Sequence, residues 1–205
     1  MKIGVVSDVH NNVEALQYAL DHLASCDLLL NLGDLISESR VEPAILRLAE
    51  SAGLLGIRGN HEKTLLFHPG ARLRDKLPPE DRAYLEALPS ERLLHVAGCT
   101  VHVAHGAPWD EPNDYRCTYV MPRDVPREPR LGETGATVLL LGHTHVPMIE
   151  RAGGTLIVNP GSCGERRMGF GLSFGVLDFN AGLAEVCEIR LGEPPAPLLT
   201  SPLAG

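Results

Sequence analysis

The chain lacks an excess of positive charge: Lys and Arg number 18 against 26 Asp and Glu, a formal charge of −8. A sequence-independent binder of nucleic-acid polymers carries a basic footprint, so that class is set aside. A small anionic substrate is not excluded, because bound cations set the field of their own site. No apolar stretch approaches the ~20 residues that a membrane helix needs. Nor does a basic and then apolar leader precede the first core strand at Ile3. The expectation is a cytoplasmic protein with no membrane partner. CxxC pairs are missing as well. The five cysteines (Cys26, Cys99, Cys117, Cys163 and Cys187) are an odd number and read as buried small hydrophobes in a reducing compartment. Cys163 alone, in NPGSCGE, is placed to approach a site. Aromatic residues are scarce, at 4% with one tryptophan.

What the chain does have is a set of apolar runs with polar tips. The 205 residues suffice for one well-buried domain. IGVVS precedes Asp8 and His10, LLLNLG precedes Asp34, and LLGIRG precedes Asn60 and His61; VHVA precedes His105, and VLLLG precedes His143 and His145. Parallel strands buried on both faces read as continuous Val/Ile/Leu segments. Open α/β sheets gather ligands beyond the carboxyl ends of such strands. The five tips therefore predict one cluster of two carboxylates, a carboxamide and five imidazoles. That is a metal site, with hydrolysis the leading chemistry. In Asp8-x-His10 and His143-x-His145 the two side chains point the same way if the tip is extended.

The surrounding pattern is α/β. Strands are predicted at 3–7, 28–31 and 54–57, separated by helical stretches at 12–25 and 41–52, which implies a parallel sheet with right-handed crossovers. An interrupted helical region covers 62–88, broken at HPG (68–70) and LPP (77–79). Strands follow at 92–96, 100–104, 137–141, 147–151, 154–158, 172–179 and 183–189, so a second sheet faces the first. The proline-rich 107–130 segment directly follows a ligand tip and reads as a wall or lid, or else as a passive surface excursion. Residues 1–190 form a single domain on this reading. The 191–205 tail reads as an extended arm, held by its own domain or by a neighbouring copy in a homo-oligomer.

Asp8-x-His10, Gly33-Asp34, Gly59-Asn60-His61-Glu62, His105 and Gly142-His143-Thr144-His145 resemble, in order, the signature blocks of the calcineurin-like metallophosphoesterase superfamily. VNPGSCGERR resembles the NPGS segment of its small bacterial and archaeal phosphodiesterases. The resemblance implies a four-layer α/β/β/α sandwich of two facing mixed sheets. It also implies two divalent ions (Mn, Fe, Ni, Co or Zn) bridged by Asp34. Asp8, His10 and His145 complete one site; Asn60, His105 and His143 complete the other. His61 binds no metal and acts as proton donor to the leaving group, while a hydroxide shared by the ions attacks. Paired divalent ions suit in-line displacement at phosphorus, and a donor set without thiolate leaves all five of those metals open.

A phosphodiesterase acting on a small or nucleotide-like ester is the leading expectation. A protein Ser/Thr phosphatase is the main alternative, but that branch places an arginine four residues beyond the bridging aspartate, where this chain has Glu38. A nucleotidase or dinucleoside polyphosphate hydrolase is a further alternative, and a non-catalytic scaffold on the same fold is a reading of another class. No residue is assigned to substrate binding, although His68, Arg166 and Arg167 are candidates for contact. His22, His95 and His102 read as structural or solvated.

Overall fold

The computed structural model describes residues 1–204. In chain order these are β1 (Lys2–Val6), α1 (Val13–His22), β2 (Leu28–Asn31), α2 (Pro43–Ser51), β3 (Leu55–Gly56), α3 (Asn60–Phe67), α4 (Pro79–Ala87), β4 (Glu91–Val96), β5 (Cys99–Ala104), β6 (Val138–Leu140), β7 (Met148–Ala152), β8 (Thr155–Asn159), β9 (Ser173–Asp178), β10 (Leu183–Glu188) and β11 (Ala196–Pro202). They build a six-stranded sheet ordered β11-β10-β9-β1-β2-β3 and a five-stranded sheet ordered β4-β5-β6-β8-β7. Both sheets are mixed. β1, β2 and β3 run parallel, as do β5, β6 and β8, while antiparallel strands complete each sheet.

Alternation along doubly buried strands divides the core into three. Ile3, Val5 and Leu30 meet Val101, Val103, Val138, Leu140 and Val158 between the sheets. The outer face of the six-stranded sheet is covered by Leu16, Ile45, Leu65 and Leu85, one from each helix. On the outer face of the five-stranded sheet, Leu139, Leu141 and Ile157 lie under Val120, Val125 and Leu131. This fourth layer is not built of long helices. It consists of two short 3-10 turns, Pro122–Arg127 and Pro129–Leu131, since closely spaced prolines remove the amide donors a longer helix needs.

The tail becomes part of the fold. β11 pairs antiparallel with β10 from Leu183↔Pro202 to Glu188↔Ala196, with one bulge, making it the edge of the first sheet. Helix ends follow their sequence signals. Asn12 caps α1 by accepting the Ala15 N–H at 3.1 Å, and Pro43 starts α2, where its missing donor costs nothing. α3 begins at Asn60, two residues earlier than the periodicity suggests. No helix among the described residues is long and apolar enough to cross a membrane.

Candidate metal centre

The carboxyl ends of β1, β2 and β3 lie side by side in one sheet, and those of β5, β6 and β8 in the other. Backbone hydrogen bonds tie the loops beyond them together: Asp8 N–H to Gly33 O at 3.1 Å, His10 N–H to Asp34 O at 3.1 Å, and Gly142 N–H to His105 O at 2.9 Å. The side chains do not converge through strand alternation, as the two-residue spacing suggests. β1 already ends at Val6. Asp8, His10, Asp34, His143 and His145 instead adopt left-handed backbone conformations, with φ between 47 and 67°. Such torsions are uncommon for residues other than glycine and cluster at functional sites.

Asp8, His10 and His145 form one potential metal-holding group, and Asp34, His105 and His143 another. In the first, His10 Nε2 and His145 Nε2 are 3.1 Å apart, and His145 Nε2 is 3.2 Å from Asp8 Oδ1. Asp8 Oδ2 accepts from Ser7 Oγ at 2.5 Å and from the His143 N–H at 3.0 Å, whereas Oδ1 is buried with no hydrogen-bond partner. In the second, His105 Nδ1 donates to Leu32 O at 2.7 Å, which turns Nε2 toward Asn60 Oδ1 at 3.0 Å and Asp34 Oδ2 at 3.2 Å. His143 Nε2 donates to Cys117 O at 3.1 Å, leaving Nδ1 as its free lone pair. Atoms ~2.1 Å from a shared ion sit roughly 3.0–3.4 Å apart, so these spacings and the orphaned Asp8 oxygen fit divalent cations.

Asp34 lies between the groups. Its Oδ2 is 3.2 Å from His105 Nε2 and 4.0 Å from His10 Nε2, and its Oδ1 accepts the His61 N–H at 2.9 Å. Charge follows this geometry. Burial raises the Asp34 pKa, but His105, His61 and His10 outweigh it and hold the carboxyl below the usual range. Burial likewise opposes a charge on His105, yet Asp34 and Asp8 push that imidazole well above its ordinary value. A proton there does what a cation would do. His143, desolvated and beside His105, falls to about 4.

His61 stands at the mouth, its side chain 24% exposed, with Nε2 3.8 Å from Asp34 Oδ2. The Glu38 carboxylate contacts its Nδ1, and the Glu38 N–H points at the same nitrogen from 3.2 Å. Glu62, buried beneath the centre, accepts from Gly59 N–H at 2.8 Å, Asp34 N–H at 2.9 Å and Ile36 N–H at 3.1 Å. It clamps the Asp34 loop to the start of α3. Burial and the neighbouring Asp34 charge push its carboxyl up to about 7. A Glu three residues beyond Gly59, at the position of a capping box, is the sequence signal for that clamp.

The 107–130 segment contributes a wall. Cys117 gives its carbonyl to His143, and the Tyr119 ring stacks on the His143 ring with centroids 4.1 Å apart. Cys163 does not enter the centre: it is fully buried in the helix-side core, and burial pushes its thiol up to about 12. His102 faces Glu91 at 2.8 Å, and His68 packs against Tyr115 with centroids 5.0 Å apart.

Residues 1–182 match the model of the calcineurin-like phosphoesterase superfamily domain. The chain belongs to that superfamily. The chain is 27% identical over 167 residues to a probable metallophosphoesterase of Methanocaldococcus jannaschii, covering 79% of this chain and 68% of that protein. The structure of a metallophosphoesterase from Sphaerobacter thermophilus superposes with a TM-score of 0.68 at 26% identity, covering 88% of this chain and 84% of the other. At 19% identity, the fold is also that of a structure described as a novel archaeal phosphodiesterase, with a TM-score of 0.61 and coverage of 91% and 98%.

Proposed function

We propose that this metallophosphoesterase is a dinuclear phosphodiesterase acting on a small or nucleotide-like phosphodiester. The observation that carries this reading is the position of Asp34 Oδ2, which His105 approaches from one ligand group and His10 from the other. Asp8, His10 and His145 would hold one divalent ion and Asn60, His105 and His143 the second, with Asp34 available to both. When bound, such a pair supplies Lewis acidity toward phosphate oxygens and activates water.

The chain's own groups do the rest. Water attacks phosphorus in line with the leaving oxygen and gives up a proton, the P–O ester bond breaks, and the departing oxygen takes a proton from an acid that the released one restores. His61 Nε2, at the mouth beside Asp34, gives it. Its other nitrogen is engaged by Glu38, which fixes the ring with Nε2 3.8 Å from Asp34 Oδ2, where it also lies within reach of His10. Glu38 also bears on substrate choice. A carboxylate at the rim repels a phosphomonoester dianion more than a diester monoanion, whereas an arginine there grips phosphate bidentately.

Turnover of bis-p-nitrophenyl phosphate against p-nitrophenyl phosphate, with Mn²⁺, Fe²⁺, Co²⁺, Ni²⁺ or Zn²⁺ supplied, tests the proposal. Preference for the diester is expected. Monoester preference contradicts it, and absence of turnover with every metal favours a binding scaffold.

A further inference from the structure

We propose that Glu165 is a positioning residue for the first metal group, its carboxylate accepting a hydrogen bond from His145 Nδ1–H. The inference rests on the metal-centre reading above.

His145 turns Nε2 toward Asp8 Oδ1 and His10 Nε2. A neutral imidazole that ligates through Nε2 carries its proton on Nδ1. That Nδ1 is buried without a hydrogen-bond partner, and Glu165 Oε2 lies 3.9 Å away. A buried N–H without an acceptor is costly, and ligating histidines commonly direct the second nitrogen at a carboxylate or carbonyl, which sets ring orientation and raises basicity. The Glu165 side chain is 46% exposed, so its free end is not locked by packing at that separation.

The loop carrying Glu165 is held against the tip of β1, which carries Asp8 and His10 of the same group. Cys163 N–H donates to Ser7 O at 2.8 Å and Gly164 N–H to Asp8 O at 3.1 Å. Ser162 Oγ donates to Asp8 O at 2.7 Å and accepts the Glu165 N–H at 2.8 Å. Asn12 Nδ2 donates to Gly164 O at 3.1 Å. A Cβ at Gly164 would overlap the Val9 carbonyl, so glycine permits this close approach. The neighbours of the carboxylate are also defined: Oε2 is 4.0 Å from His10 Nε2 and 3.7 Å from Arg167 Nη2. Arg167 offers a competing partner, but a guanidinium at the exposed rim is satisfied by water, and the buried Nδ1–H is not.

The test is Mn²⁺ retention by the full chain against rising chelator concentration, read as ions per chain, together with melting of the metal-free protein. For Glu165→Ala, one of two ions is expected to leave with about 10–100-fold weaker affinity, while the metal-free melting temperature stays unchanged. Glu165→Gln should recover much of the affinity, since its amide oxygen still accepts from Nδ1–H. Equal Mn²⁺ affinity in all three proteins overturns the proposal, as does a lowered metal-free melting temperature with affinity intact. A glutamine variant as weak as alanine assigns the carboxylate to direct ligation and overturns the hydrogen-bond role. A wild-type chain that retains no Mn²⁺ refutes the underlying metal centre instead.

Discussion

His10 and His145 meet with their Nε2 atoms 3.1 Å apart, although 135 residues separate them. Two imidazole lone pairs do not hold that distance without a proton or a cation between them. The nearby orphaned Asp8 oxygen and the buried setting make a cation the stronger account.

Removing the proton donor should separate chemistry from metal binding. His61→Ala is expected to keep full metal content and to lose about 10²–10⁴ in kcat on esters with poor leaving groups. The loss should shrink on p-nitrophenyl esters, whose leaving group needs little protonation. Asp34→Asn should lose both metal and turnover. Full activity of His61→Ala on alkyl esters would remove His61 from the mechanism.

Glu38 should act through His61 and through charge. Glu38→Gln is expected to lower kcat by less than His61→Ala does, with metal content intact, because the Nδ1 contact weakens. Glu38→Arg should raise monoester relative to diester turnover. Steady-state kinetics on paired p-nitrophenyl substrates checks both, and an unchanged ratio in the arginine variant rejects the charge argument.

Glu62 is expected to matter for stability before it matters for catalysis. Glu62→Ala strands three backbone N–H groups, each worth about 1–3 kcal/mol when buried and unpaired. A loss of at least about 2 kcal/mol in urea unfolding of the metal-free protein is expected, and less for Glu62→Gln. An unchanged midpoint would mean that water reaches those amides.

Cys163 should be inert. Its thiol is fully buried and pushed up to about 12 by desolvation, and the thiolate is the reactive form. Iodoacetamide at pH 8, followed by peptide mass mapping, is expected to leave Cys163 unmodified in the folded chain. Rapid labelling there would place it in an open environment and contradict the packing around β1.

β1, β6 and β8 were legible because they are buried nearly throughout, so each appears as an apolar run, and the small residues at the tips marked where the clustered polar residues stand. Less legible was how those residues converge. Asp8, His10, Asp34, His143 and His145 turn inward through left-handed torsions, and residue type alone does not announce them. The contacts of Glu38 with His61 and of the Glu62 carboxylate with the Asp34 and Ile36 amides join segments 23–28 residues apart; periodicity carries no such information. The tail's docking on its own domain was left open for another reason. Prolines within PPAPLLTSP suggest an arm, yet an edge strand has one side that needs no donors, and β11 occupies that edge.

Electron paramagnetic resonance of the chain loaded with Mn²⁺, with ions per chain counted on the same sample, tests the centre most directly. Two ions and an exchange-coupled multiline spectrum are expected, with bound ions and coupling both lost in Asp34→Asn. One ion per chain, or two that show only uncoupled six-line signals, would contradict a shared Asp34 bridge.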